Sequence, residues 1–508
     1  MSAETIADLL QQGADDRSAI CAPDGAKPLR YRELRELVAR TVADLNSFGV
    51  GRGDRVAMVL PNGPEAATAF VAIAAGAITA PLSPLLRPEE YQFNLSDLRA
   101  KILVVEAGTD SPARAVAQKL GVPVVELHLS REQGAGYFAL RPVSPLSGSP
   151  SSPGMGQTDD EALVLHTSGS TARPKIVPLS QRNVLASSRH IATTLKLVPE
   201  DVCLNIMPLF HIHGLMAAVL SSLRAGAQVC CTPGFNGLRF FHWLDEVKPT
   251  WYTAVPTMHQ AILSRASRHA DVVARSRLRL IRSSSASLPP PVMAELERTF
   301  RAPVIEAYGM TEAAHQMTSN PLPPKPRKPG TVGIAAGPEV AVMGDEGNIL
   351  GRGRTGEVVI RGPNVTSGYE ANPAANEQAF IDEWFRTGDQ GEIDAEGYLK
   401  LTGRLKELIN RGGEKIGPLE IDAVLMEHPA IQQCCAFAMP HDKLGEEIAA
   451  AVVVREGKTL TERELQQFAE KHLAHFKIPR KVVFLKEIPK GPTGKLQRIG
   501  LAKKLGLG

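Results

Sequence analysis

Hydrophobic residues recur at helical spacing from Tyr31 to Phe48, and short β-rich runs follow, VAMVL at Val56 to Leu60 and ILVVE at Ile102 to Glu106. Up to about residue 140 the two patterns alternate, which is the signature of βαβ units and predicts a mainly parallel sheet. The most apolar stretch, Ala66 to Leu82, is Ala-rich, interrupted by Gly76 and Thr79 and closed by Pro81. A membrane span needs about 20 strongly apolar residues, so this stretch predicts a buried helix running into a strand. Between Pro142 and Gly156 the chain reads PVSPLSGSPSSPGMG, a surface loop by composition that is expected to separate two sheets of one large body.

The α/β pattern resumes from Glu161 through Leu280, and after Pro338 Gly-punctuated runs such as EVVIRG and GYLKLTGR predict a small antiparallel unit. From Arg404 onward, helix, strand and helix patterns with many Lys suit a separate compact domain. The predicted fold class is α/β. A large N-terminal body over residues 1–403, of mainly parallel sheets with helices and a small β unit, precedes a small α+β domain over residues 404–508.

Composition removes several function classes. With 57 basic against 54 acidic residues the formal charge is +3, which gives no global reason to expect nucleic acid or an anionic membrane as a partner. Six cysteines, two adjacent pairs among them, lack CxxC spacing and so indicate neither zinc nor a disulfide framework; a reducing, cytoplasmic setting is expected. The N-terminal residues lack the apolar run of a secretory signal, and the terminal LGLG is not a peroxisomal address.

Five segments carry candidate chemistry. The strand-like ALVLH runs into TSGSTARPK (Thr167 to Lys175), whose Gly, Ser and Thr present N–H and O–H donors while Lys175 supplies a point charge suited to the β and γ phosphates of ATP. It is not a Walker loop, and taken alone it is equally compatible with a plain Ser/Thr turn. EAYGMTE (Glu306 to Glu312) offers Tyr308 for an adenine face, Thr311 for the α-phosphate and Glu312 for a hard Mg²⁺ ion. WFRTGDQGEID places Asp389 in a Gly-flanked turn, where a carboxylate can accept ribose hydroxyls or serve the turn alone. GRLKELINRGGEKI and PKGPTGKLQR complete the set.

In this order, TSGSTARPK, YGMTE, TGD, GRLKELI and PTGKLQR resemble the adenylate-forming family of acyl-CoA synthetases, 4-coumarate:CoA ligases and luciferases, over essentially the whole chain. The resemblance implies an acid:CoA ligase that uses ATP, Mg²⁺ and coenzyme A, with a mobile C-terminal domain hinged near Arg404 to Lys406. It implies that Thr167, Ser168, Gly169, Ser170, Thr171 and Lys175 meet the pyrophosphate end of ATP, and it adds Glu306, Ala307, Tyr308, Asp389 and Arg404 to the nucleotide site. Thr311 falls at the α-phosphate, Glu312 at Mg²⁺, Lys406 at the hinge, and Lys495 at the lysine that bridges carboxylate and α-phosphate during adenylation. His211 matches a residue lining the acyl pocket, and Gly412, Gly413 and Glu414 match the loop that approaches pantetheine. One departure is Ala172, followed by Arg173, where the family usually has a second Gly.

For the acid, IRSSSAS (Ile281 to Ser287) and TEAAHQM (Thr311 to Met317) are expected to bring Ser283, Ser285, Ser287, His315 and His211 to a small polar cavity. These segments, with WYTAVPT and SNPLPP, are similar to the oxalyl-CoA synthetase branch. An inward-pointing Arg282 would favour malonate. Medium-chain or aromatic acids would require an apolar pocket instead. A carrier-loading enzyme would need an acidic anchor that PLFHIHG lacks, and a catalytically dead relative would have lost Lys495 or Glu312.

Overall fold

The computed structural model describes residues 4–23, 25–167, 174–491 and 494–508. The first predicted helix runs Tyr31–Ser47 with Leu34, Leu37, Val38, Val42 and Leu45 buried along one face. Glu33 returns its carboxylate to the N–H of Arg30 at 2.8 Å and closes the first turn. VAMVL and ILVVE become the adjacent parallel strands Arg55–Val59 and Ile102–Glu106, with Val56 opposite Ile102. The Ala-rich stretch becomes the fully buried helix Pro64–Ala74 and the strand Ile78–Pro81. No helix among the described residues is long and apolar enough to cross a membrane.

Two large sheets form the N-terminal body. The seven-stranded sheet has the order Phe138–Pro142, Val124–Leu129, Ile102–Glu106, Arg55–Val59, Ile78–Pro81, Glu161–His166, Ile176–Ser180. The nine-stranded sheet centres on the parallel strands Gln228–Cys231, Val202–Asn205, Trp251–Ala254, Leu280–Ser283 and Val304–Met310. One apolar core fills the seam between them, joining Met58, Val104 and Leu163 of the first sheet to Trp251, Leu280 and Ile305 of the second. The Pro142–Gly156 loop does not separate two sheets: the strands on either side of it, Phe138–Pro142 and Glu161–His166, belong to the same seven-stranded sheet. Composition marks a loop well but not its partners, because Glu161–His166 finds its place by pairing with the distant Ile78–Pro81, Leu163 opposite Thr79.

The expected antiparallel unit consists of Glu339–Met343, Thr355–Arg361 and the long strand Trp384–Ile393, which also pairs with Phe380–Ile381 and Leu399–Arg404. Past it, Ile409–Arg411, Glu414–Ile416, Ile431–His441, Gly445–Val454 and Lys481–Phe484 make a further sheet, accompanied by the helices Pro418–Met426 and Glu462–Glu470. All six cysteines are buried and unpaired.

The nine-stranded sheet positions the site. Trp251 and Leu280 face the seam, so Thr253 and Arg282, two residues further along neighbouring strands, face the same side near the carboxyl ends. The crevice beyond the carboxyl ends of parallel strands is where open α/β sheets bind ligands.

Candidate active site

The ends of the first motif meet across antiparallel strands: the Thr167 N–H donates to the Lys175 carbonyl at 2.9 Å, and the Lys175 N–H donates to Thr167 Oγ1 at 3.3 Å. Ser168, Gly169, Ser170, Thr171, Ala172 and Arg173, between them, lie outside the described residues. Lys175 Nζ stands 4.2 Å from the centroid of the Tyr369 ring, and the Tyr369 hydroxyl donates to Glu312 Oε1 at 2.8 Å. Burial holds the Glu312 carboxyl above the ordinary range, opposed by hydrogen bonds from its own backbone and Tyr369 and by the charges of Arg404 and Lys175. Thr311 and Glu312 sit together on the turn Thr311–Ala313 that follows strand Val304–Met310.

Within that strand the buried Tyr308 donates its hydroxyl to Asp389 Oδ2, while Arg404 Nε lies 3.0 Å from Asp389 Oδ1. Asp389 and Arg404 are cross-strand partners of Trp384–Ile393 and Leu399–Arg404, which is how two separate motifs come to one place. Asp389 is therefore inside a strand and not in a turn. The glycine beside it, Gly388 at φ +72°, lies where the register with Thr355–Arg361 shifts, so it marks a bulge that re-aims the neighbouring side chain. Ala307 accepts a 2.8 Å hydrogen bond from Ser284 Oγ through its carbonyl. The Glu306 carboxyl, pushed up to about 8 by burial, accepts from the N–H of Leu288 at 2.8 Å and so holds the far end of the IRSSSAS segment.

A second cluster, where the sequence places the acid pocket, is built around Arg282, which is fully buried. Its NH1 lies 3.1 Å from His315 Nε2, 3.4 Å from His213 Nε2 and 3.4 Å from Thr253 Oγ1, and its NH2 donates to Gln316 Oε1 at 3.3 Å. Among the described residues no carboxylate pairs with it, and its Nε has no partner. Burial lowers this guanidinium to about 9, which leaves it charged at neutral pH. His213 and His315 stack with ring centroids 4.8 Å apart, and His213 reaches Ser285 Oγ at 3.0 Å and Thr253 Oγ1 at 2.6 Å. His211 completes the group, its Nδ1 accepting from the His213 N–H at 3.2 Å. Burial, reinforced by nearby cations, holds all three imidazoles neutral, His211 at about 3 and His213 and His315 well below their ordinary value. Ser283 Oγ is buried without a partner among the described residues, whereas Ser287 is exposed and takes no part.

The backbone is strained where these donors are presented. Ser285 at φ +74° and His315 at φ +98° both occupy a region that L-residues rarely adopt. PLFHIHG contributes two imidazoles, His211 and His213, and the second opens the i→i+5 helix His213–Leu220. Such helices gather at functional sites, and the histidine that begins this one makes more of the contacts in the cluster than the His211 singled out by resemblance. The signal for it in the sequence is the His-Ile-His spacing itself, two imidazoles with one apolar residue between them.

Lys495 approaches from the C-terminal part of the chain. It lies within electrostatic range of His211, His213 and His315 on the acid side and of Arg404, Asp389 and Glu312 on the nucleotide side. Burial, then the Arg404 charge, lowers it to about 8 against the opposing pull of Asp389 and Glu312. Lys406 is exposed on the short turn Leu405–Glu407. Gly412 and Gly413, at φ +63° and +96°, form the tight link between Ile409–Arg411 and Glu414–Ile416, in which Arg411 faces Glu414. The structure thus gathers Thr167, Lys175, Tyr308, Thr311, Glu312, Asp389, Arg404 and Lys495 on one side and His211, Ser285 and His315 on the other. It leaves Gly412, Gly413 and Glu414 on the sheet of the C-terminal part, where Gly412 donates to the Leu444 carbonyl at 2.9 Å.

A family model described as AMP-binding enzyme matches residues 9–370, and one described as AMP-binding enzyme C-terminal domain matches residues 420–495. An oxalate–CoA ligase of Arabidopsis thaliana is 44% identical over 98% of both chains. An oxalate–CoA ligase of Saccharomyces cerevisiae is 41% identical over 96% of this chain and 94% of its own. Among solved structures, ATP-bound MatB from Rhodopseudomonas palustris superposes with a TM-score of 0.87 at 29% identity, covering 99% of this chain and 98% of its own; the apo form of the same protein gives 0.78.

The geometry at Gly309 yields a direct test. A Cβ there would fall 1.9 Å from the His315 carbonyl oxygen and 3.2 Å from its Nδ1, so the strand can pass this strained turn only as glycine. Gly309→Ala is expected to cost about 1–3 kcal/mol of stability by overpacking. Urea unfolding measures it; an unchanged midpoint would show that the turn yields freely.

Proposed function

The chain belongs to the AMP-binding enzyme family, and we propose that within it the protein is an ATP-dependent acid:CoA ligase whose acid is oxalate. Arg282 does point inward, the arrangement expected to favour malonate. As a buried cation with no carboxylate partner among the described residues it carries the choice of a small dianion. The names of the relatives, not this residue, favour oxalate within that class. An unpaired buried charge is costly, and a small dianion relieves that cost by bringing the missing counter-charge. Neutral imidazoles and the Ser285 hydroxyl add hydrogen bonds without adding charge. Two relatives named oxalate–CoA ligase support the same reading.

In the first half-reaction one carboxylate oxygen attacks the α-phosphorus of ATP, pyrophosphate leaves, and an acyl-AMP forms. Both reactants are anions, so the step requires cations that neutralise them without blocking the line of attack. Lys495, within range of both halves of the site, serves there, while Arg282 holds the second carboxylate. Glu312 fits a Mg²⁺ site of the kind built from one carboxylate and substrate phosphates: it is an oxygen donor, and among the described residues no cluster of three or more acidic, His or Cys side chains offers an alternative. Bound there, Mg²⁺ would supply charge neutralisation at the phosphates. In the second half-reaction the thiol of CoA attacks the acyl carbon and AMP leaves. Lys495 then stands in the way of the incoming thiol, so residues 404–508 act as a lid that turns about Lys406 and brings Gly412, Gly413 and Glu414 toward pantetheine. The six unpaired thiols support a reducing, cytoplasmic setting.

Arg282→Met should lower kcat/KM for oxalate by about 10²–10³-fold, the effect of truncating one side of a buried charge pair, yet raise the melting temperature of the ligand-free protein because an uncompensated charge is removed. A panel of oxalate, malonate, octanoate and 4-coumarate, read by pyrophosphate release, accompanies it: a win for octanoate or 4-coumarate sinks the polar pocket, and a win for malonate keeps the dianion but lengthens the cavity. Lys495→Ala should lose about 10²–10³-fold in acyl-AMP formation and keep thioester formation from supplied acyl-AMP; equal losses would remove Lys495 from the first step. In the unmutated enzyme the adenylation kcat/KM should fall as pH rises through about 8, where the depressed lysine loses its charge, and Lys495→Arg should push that limb upward. Lys406→Pro fixes φ near −65°, and it should slow the half-reaction whose domain pose it excludes; wild-type rates in both would place the hinge elsewhere.

A further inference from the structure

The helix Pro256–Ala266 follows directly on strand Trp251–Ala254, which supplies Thr253 to the acid cluster. On its outer side it meets the C-terminal part of the chain. Thr257 Oγ1 donates to the carbonyl of Gly494, the residue before Lys495, at 2.8 Å. One turn on, the Gln260 carboxamide uses both ends: Nε2 donates to the Gln432 carbonyl at 3.1 Å, and Oε1 accepts from Gln433 Nε2 at 2.8 Å. Thr257 and Gln260 are three residues apart and so share a helix face. Gln432 and Gln433 open the strand Ile431–His441, far along the chain from Lys495. Gly494 has φ +82° and passes close to this helix, where a Cβ would stand 3.4 Å from Val255 and 3.5 Å from Thr257.

Nothing in the reaction chemistry calls for Gln260. It touches none of the groups assigned to ATP or to the acid, and it lies partly exposed at a seam between two parts of the fold. A glutamine that both donates to and accepts from one short segment fixes that segment's orientation as well as its distance. The same helix therefore grips the C-terminal domain twice, once at the Lys495 loop and once at the start of the strand Ile431–His441. The strand before it contributes to the acid pocket, so acid site and domain pose are set by one βα unit.

We propose that Gln260 is a positioning residue for Lys495: through Gln432 and Gln433 it latches the C-terminal domain in the pose used for adenylation, and it is released when the domain turns for thioester formation. The inference rests on the assignment of Lys495 to adenylation. Two net hydrogen bonds bias a two-state equilibrium by about tenfold or somewhat more, and that is the size of the effect to look for.

The experiment measures acyl-AMP formation and thioester formation from supplied acyl-AMP separately, on the full-length chain. Gln260→Ala should slow the first about 10-fold, leave the second unchanged or faster, and leave the KM for ATP unaltered. Gln433→Ala should do the same to a smaller extent, and the double variant should be no slower than Gln260→Ala alone, because both remove the same contact. Equal slowing of both half-reactions, or additive effects of the two substitutions, would overturn the latch, as would an unchanged rate of adenylation. Lys495→Ala in parallel separates the two ideas: if it leaves adenylation intact the underlying assignment fails, whereas if it abolishes adenylation while Gln260→Ala does nothing, only the latch fails. A melting curve within a few degrees of the parent keeps a folding defect from imitating the result, and Gln260→Glu, which retains one acceptor but loses the donor to the Gln432 carbonyl, should fall with Gln260→Ala.

Discussion

A guanidinium buried in the seam between two sheets, with no carboxylate beside it among the described residues, is the constraint around which this active site is organised. Taking Arg282 out of water is unfavourable, and the fold answers with neutral polar groups: two imidazoles, a threonine hydroxyl and a glutamine carbonyl, all within 3.4 Å. Each of these must in turn be held. Gln316 is fixed by Thr194 Oγ1 and the Ala336 carbonyl at 3.1 Å each, His213 by Ser285, and His315 by a backbone at φ +98° that crowds against Gly309. The strain at Ser285 and His315 is thus traceable to one requirement, that donors converge on a space where a sheet would ordinarily place aliphatic side chains.

The charges divide the site. On the nucleotide side Glu312 and Asp389 are each held by a tyrosine hydroxyl, from Tyr369 and Tyr308, and each lies in the field of Arg404. On the acid side there are neutral imidazoles and a cation. Lys495 is felt on both, by acidic groups that favour its charge and by burial and Arg404 that oppose it. The balance leaves it at about 8, still charged at neutral pH but close to losing that charge.

Much of the fold was legible in the sequence because periodicity is local: the helix from Tyr31, the strands at Val56 and Ile102, and the buried Ala-rich helix all follow from side-chain spacing. What composition could not supply was partnership. The Pro142–Gly156 loop joins strands of a single sheet, a matter decided by the distant pairing of Thr79 with Leu163. Asp389 lies in a strand because Gly388 makes a bulge, and glycine-flanked acids look alike in bulges and turns. In the site, ordered motifs pointed to Lys175, Glu312, Asp389, Arg404 and Lys495. His213 and the inward aim of Arg282 required the sheet: Arg282 shares a strand with Leu280 and Ile281, and which face it takes depends on where the second sheet packs.

The network also ties the lysine to the turn on which its domain would rotate. Arg498, three residues after Lys495, is buried with its NH2 on Asp422 at 2.7 Å and its Nε on Glu407 at 3.2 Å. Glu407 belongs to the turn Leu405–Glu407, which begins directly after Arg404, and Arg404 is anchored to Asp389. Two ion-pair clusters, Arg404 with Asp389 and Arg498 with Glu407 and Asp422, therefore flank the turn and are joined through its backbone. Arg498 holds Glu407 and Asp422 within the C-terminal part, and Arg404 and Asp389 pair within the antiparallel unit on the other side of the turn, whereas the contacts of Gln260 to Gln432 and Gln433 and of Thr257 to the Gly494 carbonyl cross between the two parts. The rotation proposed for the second half-reaction would therefore have to break only the crossing contacts, and the pairs on either side of the turn could stay intact.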